Sequence, residues 1–111
     1  MSVPEVDANE AKALVDSGAL LLDVREPNEW NAGHAPGAHF VPLGQLPANV
    51  DDLPRDRRIV AVCRVGGRSA RATEFLIAAG IDAVNLAGGM RAWAAAGLTV
   101  ETDDGGAGTV I

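Results

Sequence analysis

Four short strand-like runs, each bounded by turn residues and separated by helix-like stretches, restrict this chain to one kind of fold. They fall at residues 20–24, 39–42, 59–62 and 83–86. The stretches between them carry helix signals. Asp7 and Glu10 form a capping-box pattern that opens a helix through about Asp16, with Ser17 and Gly18 ending it. Residues 26–30 read as a turn into a brief helix, and residues 46–53 hold a helical turn. A helix over 69–79 is followed by Gly80, and a short one over 90–96 is stopped by Gly97. Strands that alternate with helices are joined by crossovers, so the expected fold class is α/β. It has a central parallel sheet with helices on both faces. At 111 residues the chain suffices for one domain with one modest core. We place the domain at residues 1–100 and treat residues 101–111 as an acidic, glycine-rich tail expected to fray.

In parallel sheets ligands sit beyond the carboxyl ends of the strands. Cys63, the only cysteine, stands at such an end. The loop after it reads Arg64, Val65, Gly66, Gly67, Arg68 and Ser69. Strand, cysteine, glycine-bearing loop and helix start together build a cradle of unpaired backbone N–H groups. Such a cradle attracts anions and favours the thiolate over the thiol. A buried, inert cysteine would sit within its strand rather than at the end, ahead of two arginines. Asp23 lies near the end of another strand and reads as support, bonding loop amides or Arg25. Arg25 and Glu29 stand four apart and are expected to pair. His34 is read as turn-stabilising, His39 as exposed or at a strand edge. Trp30 and Trp93 are read as packing anchors. No carboxylate or thiol stands at metal-ligand spacing from the histidines, so neither a metal nor another cofactor is expected.

The net charge of −6 argues against nucleic acid as a partner. Yet between Arg57 and Thr73 there are five arginines and no acid, a patch suited to focusing a small anion. The N-terminal residues lack a basic region and an apolar segment, and no apolar run approaches a membrane span. With one cysteine there is no internal disulfide. A cytoplasmic protein, monomeric or weakly dimeric, is expected.

Three segments resemble the signatures of the rhodanese domain family: LDVREPNEWNAGHAPGA at residues 22–38, CRVGGRS at 63–69, and LAGGMRAW at 86–93 followed by Ala96 and Gly97. The resemblance runs from about Val6 to Val100. It implies a sulfurtransferase in which Cys63 takes a sulfane sulfur from an anionic donor such as thiosulfate. The resulting persulfide passes the sulfur to cyanide, a thiol or a protein acceptor. It also implies that amides from Arg64 to Ser69 cradle the outer sulfur, with Arg64 and Arg68 holding the donor. Two alternatives share the fold: a binding or sensing module, and a phosphatase or arsenate reductase. The related phosphatases have a loop one residue longer and a histidine before the cysteine. Here four residues separate Cys63 from Arg68, and Val62 precedes the cysteine. The chain departs from the family pattern at Ala35, where a large aliphatic is usual, and in lacking a second thiol to resolve a persulfide.

Overall fold

A computed structural model describes residues 3–111. Its elements follow in the order β1 (Glu5–Val6), α1 (Ala8–Asp16), β2 (Leu20–Asp23), α2 (Pro27–Ala32), β3 (His39–Phe40), α3 (Leu46–Asn49), β4 (Ile59–Val62), α4 (Gly67–Ala78), β5 (Ala83–Leu86) and α5 (Gly89–Ala95). The strands form one parallel sheet in the order β1-β5-β4-β2-β3. Central β4 is buried along its whole length, as a strand covered on both faces must be.

Alternation along β4 divides the core into two layers. Ile59, Ala61 and Cys63 pack with Leu22, Val24, Leu46, Ala72 and Leu76, on the side of α3 and α4. Val60 and Val62 pack with Ala8, Ala11, Leu21, Leu86, Met90 and Trp93, on the side of α1 and α5. Helices therefore cover both faces, as expected. Cys63 takes its side from this period of two: its side chain belongs to the α4 layer, so the helix that follows it also packs over it.

The helix ends explain themselves locally. The capping box at α1 is present, with Glu10 N–H donating to Asp7 at 2.8 Å and Asp7 N–H donating to Glu10 at 3.0 Å. A second one opens α2, where Pro27 occupies the first turn and Glu26 N–H donates to Glu29 at 3.0 Å. His39 is exposed on edge strand β3, and Trp93 is buried with its indole N–H donating to the Thr99 carbonyl at 2.8 Å.

Several expectations need correction. A fifth strand, β1, pairs with β5; at two residues beside Pro4 it carries no readable alternation. The helix expected over 69–79 is α4, which starts two residues earlier, at Gly67. The tail does not fray. Glu101 bridges antiparallel to both His34 and Ala107, and Thr109 N–H donates to the Ala32 carbonyl at 2.9 Å. Val110 packs against the second core layer. Among the described residues no helix is long and apolar enough to cross a membrane.

Candidate active site

The thiol of Cys63 sits directly beyond β4, with the residue only 1% exposed. Its Sγ accepts the Gly66 N–H at 3.1 Å and the Ser69 hydroxyl at 3.3 Å. Gly66 precedes α4 with φ of 116°, a left-handed conformation that side chains other than glycine rarely adopt. That turn swings the Gly66 N–H back toward the sulfur. It also starts the helix without a side-chain cap, which frees Ser69 to aim its hydroxyl at Sγ. Ser69 was expected to open the helix. Instead it lies in the first turn and serves the sulfur.

The sulfur is tuned by two opposed effects. Burial pushes the Cys63 thiol up. The Ser69 hydroxyl and the amides of Ser69, Gly66 and Val65 pull it down, and together they win, leaving it below the ordinary thiol value. Hydrogen bonds donated to sulfur stabilise only the charged form to that extent. The rate of Cys63 alkylation by iodoacetamide, followed against pH, should therefore have a midpoint below about 8.5, the free-cysteine value. A midpoint at or above that value would show that burial wins.

The loop is held from behind by β5 and α5. Met90 N–H donates to the Cys63 carbonyl at 2.7 Å and Arg91 N–H to the Arg64 carbonyl at 3.1 Å. This approach requires Gly89, since a Cβ there would stand 2.5 Å from backbone atoms of Cys63 and Arg64. Asn85 is buried in β5, and its Nδ2 donates to the Gly66 carbonyl at 3.2 Å and to Glu5 at 2.9 Å. Sequence reasoning missed Asn85. The available signal was an asparagine within an otherwise apolar strand, because a buried amide needs partners.

The charges pair differently from expectation. Asp23 and Arg25 form a buried ion pair at 2.8 Å, both side chains 0% exposed, and Arg25 also donates to the Gly33 carbonyl at 2.8 Å. Asp23 thus bonds Arg25, one of the partners expected of it, but Arg25 does not pair with Glu29. Glu29 instead grips Arg68 through two bonds of 2.6 and 2.9 Å. That pairing draws the Glu29 carboxyl down to about 2, against the opposing effect of burial. The Arg68 fork expected to hold a donor is thus occupied by Glu29, with the guanidinium kept as a fixed cation within the field of Cys63. Arg64 donates from Nε to the Ile111 carbonyl at 2.9 Å. Val65 is exposed at the loop tip, and Gly67 has open space where a Cβ would stand.

The five arginines do not form one patch. Arg57 donates to the Gly18 carbonyl, and Arg58 pairs with Asp82 at 3.0 Å. Both precede β4 whereas Cys63 follows it, a separation of roughly 15 Å along the strand. His34 stacks on Trp30 with ring centroids 3.7 Å apart and donates from Nδ1 to the Trp30 carbonyl. Its Nε2 faces Asp103 at 3.3 Å. It does stabilise the turn, and it anchors the tail as well. Among the described residues no His, Cys, Asp and Glu cluster that could hold a metal occurs.

Comparison with known proteins agrees with this geometry. Residues 7–96 match the rhodanese-like domain. A sulfurtransferase of Allochromatium vinosum is 37% identical over 106 residues, covering 93% of this chain and 99% of that protein. A rhodanese-related protein of Thermoplasma volcanium superposes with a TM-score of 0.83 at 31% identity, over 87% of this chain and 96% of that one. A thiosulfate sulfurtransferase of Pseudomonas aeruginosa superposes with a TM-score of 0.75 at 30% identity. It covers 98% of this chain, which spans only 22% of that longer one. With its parallel sheet, its cysteine at the end of the central strand and its amide-lined loop, the chain belongs to the rhodanese-like domain family.

Proposed function

We propose that the protein is a sulfurtransferase that carries sulfane sulfur on Cys63, with thiosulfate as a competent donor and cyanide or an external thiol as acceptor. One observation carries the reading: a single thiol whose Sγ accepts the Gly66 amide and the Ser69 hydroxyl, bonds that favour its charged form, inside a loop whose further amides face it. The likeness to a sulfurtransferase over nearly the whole of both chains supports it. The likeness to a thiosulfate sulfurtransferase supports the donor.

In the first half-reaction the Cys63 thiolate attacks the outer sulfur of thiosulfate. The bond between outer sulfur and sulfonate sulfur breaks, and sulfite leaves with the electron pair. The persulfide that remains carries one negative charge, which the amides of residues 64–69 receive. In the second, cyanide or a thiolate attacks the outer sulfur and departs as thiocyanate or as a new persulfide, returning Cys63 as thiolate. No oxidant or reductant is consumed. With one cysteine in the sequence, the acceptor comes from outside the chain. Arg64 attracts the anionic donor. Arg68, fixed by Glu29, adds constant positive potential.

The test is intact-protein mass spectrometry after incubation with thiosulfate. One added sulfur atom is expected, on Cys63, lost on treatment with cyanide or dithiothreitol. An unchanged mass at millimolar thiosulfate would remove the donor assignment. An unchanged mass with other sulfane donors too would leave the fold as a binding module.

A further inference from the structure

Asn85 is the one polar side chain in β5, which otherwise reads Ala83, Val84 and Leu86. It stands beside Ala61 of β4 on one side and Glu5 of β1 on the other. Ala83, two residues earlier, packs in the α4 layer. The period of two therefore turns Asn85 toward that same layer, which also holds Cys63. The Asn85 amide nitrogen carries two hydrogens, and both are spent. One goes to the Gly66 carbonyl at 3.2 Å, the other to a Glu5 carboxylate oxygen at 2.9 Å. Its buried Oδ1 has no hydrogen-bond partner among the described residues. The orientation of the amide is thus fixed, because a flipped amide would set Oδ1 against two oxygen acceptors. A buried acceptor without a partner costs stability, so packing alone would favour an apolar residue here, like its strand neighbours.

We infer that Asn85 is a positioning residue for the Cys63 cradle, and that Glu5 on edge strand β1 holds its amide in the required orientation. This deepens the sulfurtransferase reading and rests on it for the rate of sulfur transfer, though not for the state of the thiol. The contacts run from the Glu5 carboxylate to the Asn85 amide, on to the Gly66 carbonyl, and from the Gly66 N–H to Sγ at 3.1 Å. Gly66 is where the loop most needs support. A second glycine follows it, its φ is 116°, and it opens α4 with no side-chain cap. Two glycines in succession are the least restrained backbone a chain can have. At the start of the loop the Met90 and Arg91 amides fix the carbonyls of Cys63 and Arg64. At the Gly66 end the sheet supplies Asn85. Fixing the Gly66 carbonyl fixes the peptide plane that follows it, and with that plane the direction in which the Gly66 N–H points. The Gly67 N–H, opposite the carbonyl in the same plane, is sent away from β5 and out of the first turn of α4.

The experiment compares the parent chain with Asn85→Leu, Glu5→Ala, Glu5→Gln, and Asn85→Leu combined with Glu5→Ala. The readouts are the pH midpoint of Cys63 alkylation by iodoacetamide, kcat/KM for thiosulfate, and the melting temperature. Leucine has the branching of asparagine and strands nothing. The Gly66 carbonyl keeps the Ala70 N–H at 3.0 Å, and Glu5 is exposed to water. Asn85→Leu should therefore melt no lower than the parent. Its alkylation midpoint should rise by about 0.3–1 pH unit and its kcat/KM at neutral pH fall by about 2- to 10-fold, the worth of one hydrogen bond. Glu5→Ala should move both in the same direction by less. Deleting a negative charge would by itself favour the thiolate and lower the midpoint, so a rise reports lost orientation. Glu5→Gln deletes the same charge but keeps an oxygen that accepts the amide, and should restore the parent midpoint. Added to Asn85→Leu, Glu5→Ala should change nothing further. An unmoved midpoint in folded Asn85→Leu, a lowered one in Glu5→Ala, or additive effects in the double variant would each overturn the inference. Should Asn85→Leu not fold, the two Glu5 variants, on the exposed edge strand, decide by the same midpoints. Midpoints that move as expected in a protein that takes no sulfur from thiosulfate would refute the thiosulfate reading and leave this inference standing.

Discussion

Cys63→Ser should abolish the proposed sulfur transfer from thiosulfate to cyanide while leaving the fold in place. A serine hydroxyl at this position stays protonated at neutral pH, since the Gly66 amide and Ser69 hydroxyl bias the pKa of a group but cannot move an alcohol into the neutral range. An oxygen nucleophile would also have to form a bond to divalent sulfur that the acceptor cannot exploit. No second thiol in the sequence can take over. The fold survives because serine is smaller than cysteine, stays buried, and can still accept the Gly66 N–H, so the packing of the α4 layer changes by less than a methyl group. Thiocyanate formation measured by its ferric complex should fall to the rate of a blank, with circular dichroism and melting temperature close to those of the parent. Thiocyanate formation by a folded serine variant would end the persulfide mechanism.

The sheet and the reactive cysteine were legible because both rest on local patterns. Apolar runs such as Ile59–Val62 mark buried strands. Cys63 ahead of two glycines marks a loop rather than a core position. The charge network was not legible, because ion pairing is decided by which loops the sheet brings together. Arg25 and Glu29 have the spacing of a helical pair, but Arg25 precedes α2, and the turn of the chain there folds it back on Asp23. That leaves Glu29 to Arg68, which lies 39 residues away in sequence. The arginine run misled for a similar reason: β4 passes between Arg58 and Arg64 and sends them to opposite ends of the sheet. The tail was read from its composition of acids and glycines, which favours disorder. Here two of the glycines do the opposite. Gly106 closes a turn by its carbonyl accepting the Thr102 N–H at 2.9 Å, and Gly108 permits contact with Gly33.

Removing Asp23 should cost more stability than any other single charge in the molecule. Arg25 is fully buried, and its charge is paired there with Asp23 at 2.8 Å, with Glu29 acting on it only through space. Its Nη1 already lacks a hydrogen-bond partner among the described residues. Asp23→Ala would leave a guanidinium in the core with the Gly33 carbonyl as its one remaining partner among those bonds. Stranding a buried charge in this way costs about 3–5 kcal/mol, a large share of the 5–15 kcal/mol or so that holds a domain together. For a chain of this size the melting temperature should drop by about 10–30 °C. Lys12→Ala provides the contrast: its pair with Asp16 is as short, at 2.6 Å, but lies on the surface and is worth about 0.3–0.5 kcal/mol. Urea titration of both variants gives the comparison directly, with the slope unchanged and only the midpoint moved. Replacing both partners by apolar residues, Asp23→Val with Arg25→Met, should be less damaging than Asp23→Ala, since no charge is then stranded. A single variant that melts within a few degrees of the parent would mean that the Arg25 charge escapes to solvent. The consequences reach the site as well. Arg25 fixes the Gly33 carbonyl, and Gly33 is the residue against which Gly108 and Thr109 pack. In the surviving folded fraction of Asp23→Ala, the grip of the tail on Arg64 should therefore loosen before the Cys63 cradle does.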